Sequence, residues 1–126
     1  MSFEYDDQNI FAKILRGEIP NSTVLETEHS LAFHDIAAQA PVHVLVIPKG
    51  AYVTYDHFIA EASDAEIVDF NRAIGEVCRL MKLSGADTDG GFRIIANAGA
   101  HALQEVPHLH MHVLGGRPLG LLLDRG

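Results

Sequence analysis

The pattern of apolar and polar positions along the chain predicts five short strands. The apolar or alternating runs lie at 23–26, 30–35, 43–47, 92–97 and 108–114. The run at 43–47 is apolar at every position except the first, so we expect it in the middle of a sheet. Turns are predicted where Gly, Pro, Asn and Asp cluster, including residues 89–91.

Two helices of different length are predicted between these strands. The short one covers 10–15, with Asp7 or Asn9 as its N-cap and Gly17 after its end. The long one follows Ser63, which forms a capping-box pattern with Glu66, and runs to about residue 83 before Gly85. Its apolar stripe consists of Ile67, Phe70, Ile74, Val77, Cys78 and Met81.

The order of these elements is one short helix, three strands, one long helix and two strands. This order indicates a single α+β domain, residues 1–126, built on an antiparallel sheet of about five strands. Residues 1–8 are predicted to be a loose tail, and residues 51–62 give no clear element.

Composition narrows the range of possible functions. The net charge of −8 argues against a general nucleic-acid binder, which needs a basic face. No apolar run approaches the roughly 20 residues of a membrane span, and the acidic N-terminus lacks the features of a signal peptide. Cys78 is the only cysteine, so no internal disulfide can form. We therefore expect a cytoplasmic protein without membrane or nucleic-acid partners.

The candidate chemistry lies in the last predicted strand, His108-Leu109-His110-Met111-His112-Val113-Leu114. Side chains alternate between the faces of a strand, so the three histidines share one face and the apolar residues share the other. We expect the histidine face to line an open cleft, because three buried imidazoles without partners would be unfavourable. Gly115 and Gly116 end the strand.

Three interpretations of this histidine face are possible. Neutral imidazoles at this spacing can bind zinc, which would suggest a metal-dependent hydrolase. They can also act on a phosphate, with one ring attacking phosphorus and another donating a proton. Histidines that only form structural hydrogen bonds are the weakest interpretation, because three of them stand in register.

Several separated motifs, in the same order, resemble the histidine triad (HIT) family and its Hint branch. The similarity extends from about residue 9 to residue 120. The matching segments are Ile10-Phe11, Glu18-Ile19-Pro20, Phe33-His34-Asp35-Ile36, Gln39-Ala40-Pro41, His43-Val44-Leu45-Val46-Ile47-Pro48-Lys49, Asn97 and the triad itself through Arg117.

The resemblance implies a HIT-like fold and a hydrolase or transferase acting at the α-phosphorus of a nucleotide. In the Hint branch the associated substrates are purine nucleoside phosphoramidates of the AMP or GMP type. His112 stands where nucleotidyl-transferring branches carry Gln, which favours water as the final acceptor. A nucleotide-binding signalling or scaffold protein with little turnover is the alternative, since the same pocket would serve both.

The resemblance also implies roles for individual residues. His110 would be the nucleophile, oriented by the backbone carbonyl of His108, while His112 would contact the phosphate or leaving group and His43 would support the triad. The residues implied to bind the nucleotide are Asp35 at the ribose, Asn97, Gln104 and Glu105 on the phosphate side, Ile10, Phe11, Ile14, Ile19 and Phe33 in an apolar slot for the base, and Ile36.

Further expectations concern conditions and assembly. We expect no cofactor and no metal, because a nucleophilic imidazole needs a free lone pair. Activity should fall below about pH 6.5, the unperturbed histidine value. We expect a homodimer, because 118–123 and the long helix carry more apolar surface than one chain would bury. Glu105, Leu103 and Pro107 depart from the common Hint pattern, which affects the expected leaving group more than the chemistry.

Overall fold

The computed structural model describes residues 3–85 and 90–124, so residues 1, 2 and 89 of the predicted tail and turn lie outside the described residues. No helix in the described ranges is long and apolar enough to cross a membrane. The elements in chain order are α1 (Ile10–Leu15), β1 (Thr23–Glu26), β2 (Ser30–His34), β3 (Val42–Pro48), α2 (Tyr55–Glu61), α3 (Asp64–Leu80), β4 (Phe92–Ala96), a short 3₁₀ helix (Ala100–Ala102) and β5 (Met111–Gly115).

The five strands form one antiparallel sheet in the order β1-β2-β3-β5-β4. This confirms the α+β class, the five-stranded antiparallel sheet and the central position of β3. Because β5 pairs with both β3 and β4, His112 lies between Leu45 on one side and Ile95 on the other. Residues directly opposite each other share a face, so these three side chains project from the same side of the sheet.

The long helix α3 covers the other face. Val44 and Val46 of β3 and Val113 of β5 are fully buried there. Alternation along the strands separates this apolar set from the histidines. The residues of α3 that complete this core are Phe70, Ala73, Ile74, Val77 and Cys78.

The start of α3 is as predicted, but its end is not. The Ser63 side chain accepts from the Glu66 backbone N–H, and the Glu66 carboxylate accepts from the Ser63 N–H, which completes the capping box. The helix ends at Leu80, before the predicted Gly85. Lys82 adopts the left-handed conformation (φ 58°), because the next residue, Leu83, turns back into the core and is 4% exposed.

Helix α1 lies on the histidine face of the sheet. The Asn9 side chain accepts from the Ala12 N–H, so Asn9 and not Asp7 is the N-cap. Gly17 follows the helix with φ 78°, as predicted for a left-handed cap. A second, smaller apolar cluster lies between α1 and the sheet. It consists of Phe11, Ile14, Leu31, Phe33, Leu45 and Ile47.

Helix α2 was not predicted from the sequence. It is capped by Thr54, whose hydroxyl accepts from the His57 N–H, and it buries His57 and Phe58. Its large apolar residues Phe58 and Ile59 are adjacent, and Ile59 is 42% exposed, so no apolar stripe at a spacing of three or four appears. His57 itself is 6% exposed, and its Nδ1 accepts from the Val53 N–H.

Candidate active site

The histidine segment enters the sheet later than predicted. Strand β5 begins at Met111, because the Leu109 N–H donates to the Tyr52 carbonyl (2.8 Å) before β5 and so leaves the sheet ladder. The alternation nevertheless holds, since Leu109, Met111 and Val113 are all buried on the α3 side. The histidines therefore face the side of the sheet that α1 only partly covers.

His108 does not line an open cleft, contrary to expectation. The residue is 0% exposed, and its Nε2 lies 2.8 Å from the Pro48 carbonyl oxygen. A carbonyl only accepts, so Nε2 carries the proton and Nδ1 carries the lone pair. The Tyr5 hydroxyl donates to that Nδ1 at 2.6 Å. The ring is thus held at both nitrogens inside the protein.

His110 is oriented by the backbone of His108. Its Nδ1–H donates to the His108 carbonyl oxygen at 2.7 Å, the hydrogen bond that the family resemblance implied. Because Nδ1 carries the proton, Nε2 holds a free lone pair. The Phe11 ring packs edge-on against the imidazole, with centroids 5.0 Å apart. His110 is therefore a fixed ring with one unprotonated nitrogen.

His112 is held in the opposite tautomer by two hydrogen bonds in series, which we call the relay and which run from the loop before β3 through His43. The Gln39 N–H donates to His43 Nδ1 (3.0 Å), so His43 carries its proton on Nε2. That Nε2–H donates to His112 Nδ1 (2.8 Å), which leaves the proton of His112 on its own Nε2. The Arg117 guanidinium donates to the Gln39 carbonyl (3.1 Å) and fixes the start of the relay. His112 therefore presents an N–H where His110 presents a lone pair.

Burial keeps the triad uncharged at neutral pH. It lowers the pKa of His108 to about 4 and also lowers the pKa of His110. The pKa of His112 is lowered to about 4 by burial, with His110 and His43 adding to the effect. The expected loss of activity below about pH 6.5 is therefore shifted downward, since the His110 lone pair persists to lower pH.

Asp35 lies beside this relay. It follows β2, where its N–H donates to the His43 carbonyl (3.0 Å), and its Oδ1 accepts from the Ala37 N–H (2.8 Å). Its Oδ2 is 3.3 Å from His43 Nε2. One carboxylate oxygen thus shapes the turn while the other faces the histidines.

Asp35, His43 and His112 have possible metal-ligating atoms within 4.8 Å of one another. The hydrogen bonds disfavour a metal there. His43 Nε2 bears a proton as long as Nδ1 accepts from the Gln39 N–H, so it has no lone pair to coordinate an ion. Moving that proton to Nδ1 would set two N–H groups against each other. These three residues are therefore better suited to hydrogen bonds that fix the ring tautomers than to binding a metal ion.

The predicted apolar slot is only partly assembled. Phe11, Ile14 and Phe33 are buried together beneath α1, with Ile19 partly buried against them. Ile10 is 43% exposed and Ile36 is fully exposed, so neither packs in the cluster. A cavity of about 310 Å³ adjoins the slot, and its lining residues are Ile14, Leu15, Asn21, Thr23, Glu26, Leu31 and Lys49.

The polar residues of the loop before the triad differ in their hydrogen bonds and in their exposure to solvent. Asn97 directly follows β4, one residue beyond the Ala96–Met111 pair. Gln104 donates to the Val53 and Val106 carbonyls and accepts from the Gly99 N–H, so its amide ties the loop together. Glu105 is exposed to solvent. Leu103, which departs from the common Hint pattern, adopts the left-handed conformation (φ 58°), and its side chain is 80% exposed.

Comparison with known proteins agrees with this geometry. The family model described as HIT domain matches residues 16–119. The chain belongs to the HIT family. The HIT chain is 41% identical over 117 residues to the purine nucleoside phosphoramidase of Escherichia coli K12, covering 93% of this chain and 94% of that protein. An uncharacterized 13.2 kDa HIT-like protein of Azospirillum brasilense is 56% identical over 126 residues, the full length of both chains.

Solved HIT structures share the fold. A histidine triad protein from Clostridium difficile superimposes with a TM-score of 0.78 at 35% identity, covering 96% of this chain and 100% of that one. A HIT family hydrolase from Legionella pneumophila also gives 0.78, at 33% identity, covering 91% and 98%. The sheet order and the histidine segment described above are therefore those of a HIT domain.

Two contributors to this HIT site were missed in the sequence. Tyr5 was not among the predicted site residues, and Gln39-Ala40-Pro41 was matched to the family pattern without a role for Gln39. Gln39 acts through its backbone N–H, which leaves no trace in residue type. Tyr5 is 103 positions from its partner, so only the fold brings the two together.

Proposed function

We propose that this HIT protein is a nucleotide hydrolase that cleaves the bond between the α-phosphorus and its leaving group in purine nucleoside phosphoramidates or related conjugates. The observation that carries the proposal is the pair of opposite tautomers on one face. His110 offers a lone pair, His112 offers an N–H, and their ring centroids are 5.1 Å apart. A phosphorus placed between them would meet a nucleophile and a hydrogen-bond donor at once.

In the first step, His110 Nε2 attacks phosphorus while the bond to the leaving group breaks. A nucleotidyl-His110 intermediate forms, and the departing nitrogen takes up a proton. His110 Nδ1–H stays bonded to the His108 carbonyl, which stabilises the positive charge that develops on the ring. Water then attacks phosphorus and gives a proton to His112, which has lost its own to the leaving group, while the P–N bond to His110 breaks and the nucleoside monophosphate is released.

His112 supplies the proton to the leaving group. In the free protein its low pKa keeps the ring neutral, with the N–H on Nε2. The negative charge of a bound phosphate favours the protonated imidazole. The second proton lies on Nδ1, so the His43 Nε2–H then turns to Asp35 Oδ2, which is 3.3 Å away. The donor is thereby charged only when there is a leaving group to protonate.

The nucleoside would extend from the histidines toward α1. Asp35 has one carboxylate oxygen facing the site, and that oxygen can accept hydrogen bonds from the ribose hydroxyls. Phe11 contacts both His110 and Phe33, so the apolar slot begins directly beside the nucleophile. Asn97 would reach the phosphate from the other side, as would Gln104 and Glu105 if the loop rearranged around substrate.

Turnover of adenosine 5′-phosphoramidate tests the proposal. The expected results are release of AMP and, after rapid acid quench, an added nucleotidyl mass on the peptide containing His110. His29→Ala, a change at the β1–β2 turn, is the matched histidine control and should leave both signals intact. AMP binding without any turnover would instead support the nucleotide-binding scaffold, and turnover abolished by a chelator and restored by zinc would support the metal hydrolase.

We also propose that the active form is a homodimer joined at β4. This strand is at the edge of the sheet, and Phe92 and Ile94 on one of its faces are 47% and 45% exposed. An unpaired edge with large apolar side chains is suited to pairing with a second copy. Sedimentation at micromolar concentration should give twice the chain mass, and Ile94→Lys should shift it to the monomer. A wild-type monomer under the same conditions would overturn this assembly.

A further inference from the structure

The segment at residues 3–8, which we call the N-terminal strap, packs against the buried end of the triad. The Phe3 ring stacks on His57 with centroids 4.4 Å apart and planes 8° from parallel. The Tyr5 hydroxyl donates to His108 Nδ1, and the two rings meet edge to face at 5.5 Å. The segment was predicted to be a loose tail, whereas its two aromatic rings lie against buried histidines.

Polar contacts hold the strap at its other end. The Asn9 side-chain amide donates to the Asp6 carbonyl (2.7 Å), and the Arg16 guanidinium donates to the Asp7 carbonyl (2.7 Å). Asn9 is also the N-cap of α1, so the strap and the helix share one anchor. The position of Tyr5 is thus set by the same residues that start α1.

Tyr5 satisfies the one nitrogen of His108 that the rest of the domain leaves open. Pro48 takes the Nε2–H, which forces Nδ1 to be an acceptor in a residue with no exposed surface. Without the hydroxyl, that acceptor would be buried and unpaired, which is destabilising. Exchanging the tautomer would not help, because a lone pair on Nε2 would then face the Pro48 carbonyl.

The His108 ring and the His108 carbonyl belong to one residue, so holding the first limits the movement of the second. That carbonyl is the acceptor that fixes the tautomer and direction of the His110 ring. A nucleophile must lie in line with the leaving group, and a misplacement of about 1 Å reduces turnover by as much as ~10²-fold. The chain of contacts from the strap to the attacking nitrogen is Tyr5, His108 and His110.

We propose that Tyr5 is a positioning residue whose hydroxyl, by locking the His108 ring, holds His110 in the tautomer and orientation that attack phosphorus. The inference rests on the proposed function, since it concerns the same nucleophile. It makes the strap a component of the catalytic site without contact to substrate.

Tyr5→Phe tests the inference, because it removes only the hydroxyl. Tyr52→Phe is the matched control: its hydroxyl donates to Glu66 at 2.8 Å, at the start of α3, and has no contact with the triad. We expect Tyr5→Phe to lower kcat about tenfold with unchanged AMP affinity. We expect the imidazole ¹⁵N shifts of ligand-free protein to show two tautomers for His110, and Tyr52→Phe to change neither kcat nor those shifts.

Two results would overturn the inference. One is a Tyr5→Phe protein with wild-type kcat and a single His110 tautomer. The other is an equal loss of kcat in both variants, which would indicate general destabilisation. The ¹⁵N measurement needs no substrate, so it stays informative if the wild-type protein fails to form an intermediate on His110 and the proposed function is wrong.

Discussion

The two faces of the sheet use the same strands but are covered in different ways. The α3 face is covered by a helix of 17 residues, and its core is formed by apolar side chains, apart from the buried Ser30 hydroxyl, which donates to Asp69 of α3. The opposite face is covered by α1, which has six residues and packs on the smaller apolar cluster and, through Phe11, on His110. Of the three histidines on that face, only His112 stays partly exposed. The face that the shorter helix covers therefore contains the site.

The faces also differ in how they tolerate burial. Apolar side chains on the α3 side need only complementary shape, whereas each imidazole nitrogen that is shielded from solvent needs a hydrogen-bond partner. Among the described residues, every buried side-chain nitrogen and oxygen has such a partner. Main-chain groups supply several of them, at Pro48, His108 and Gln39. The hydrogen bonds that make the polar face stable are the same ones that set its tautomers.

The largest expected effect separates chemistry from packing. His110→Ala should reduce turnover at least ~10³-fold, because no other described nitrogen has the same free lone pair and position. AMP affinity should change little, since Asp35 and the apolar slot remain, and the free energy of unfolding should fall by about 1–3 kcal/mol because the His108 carbonyl loses its donor. Steady-state kinetics, calorimetric titration with AMP and denaturant unfolding check the three quantities. Retained turnover in this variant, with loss in His112→Ala, would reassign the nucleophile.

The converse change lies on the other face. Phe70→Ala on α3 should lower the free energy of unfolding by about 3–5 kcal/mol, because a fully buried ring is lost from the core. Turnover per folded molecule should stay near that of the wild-type protein. Urea unfolding and kinetics at low temperature, where the variant is folded, measure the two. A large loss of kcat in the folded variant would mean that the faces are not independent.

A third change tests the relay within the polar face. His43→Phe keeps a ring of similar size but removes the donor to His112 Nδ1, so the tautomer of His112 is no longer fixed. A wrong tautomer at a catalytic histidine is severe, and we expect a fall in kcat of about 10²-fold with a smaller change in AMP affinity. Val44→Ala is the control, because Val44 is next to His43 in β3 and its side chain packs on the α3 face. Equal kcat losses in both would refute the relay.

The pH dependence of stability and of turnover should report on the histidine face without any mutation. Histidines whose pKa is lowered on folding stay neutral while the unfolded chain takes up protons, so stability is full above about pH 6.5 and falls as the pH approaches 4. The acid limb of kcat/KM should lie below pH 6.5, because the pKa of His110 is lowered as well. Unfolding titrations and pH–rate profiles measure these, and an acid limb above pH 6.5 would contradict the assigned burial.

The sequence predicted the parts of this molecule that depend on local period. The strands, the capping box at Ser63 and the alternation in the histidine segment follow from spacing, and the structure confirms them. The tautomers of the histidine rings could not be predicted from the sequence, because they depend on where the Pro48 and Gln39 backbone groups point after folding. Tyr5 was missed for a similar reason, since neither Tyr5 nor His108 indicates its partner locally.

The smallest expected effect concerns the end of α3, where the sequence predicted Gly85 and the structure uses Lys82. Lys82 has φ 58°, a conformation that is unfavourable for a residue with a Cβ atom. Its N–H donates to the Arg79 carbonyl, and the Leu83 N–H donates to the Cys78 carbonyl, a Schellman arrangement that usually places Gly at this position. Lys82→Gly should relieve the strain, partly offset by the greater freedom of Gly in the unfolded chain, for a net gain of about 0.5 kcal/mol. Lys82→Ala keeps the Cβ atom and should give no gain, and turnover should be unchanged in both variants because the position belongs to the α3 side. Differential scanning calorimetry of the three proteins measures the difference, and a gain in the alanine variant equal to that in the glycine variant would show that the side chain, not the backbone conformation, is the source.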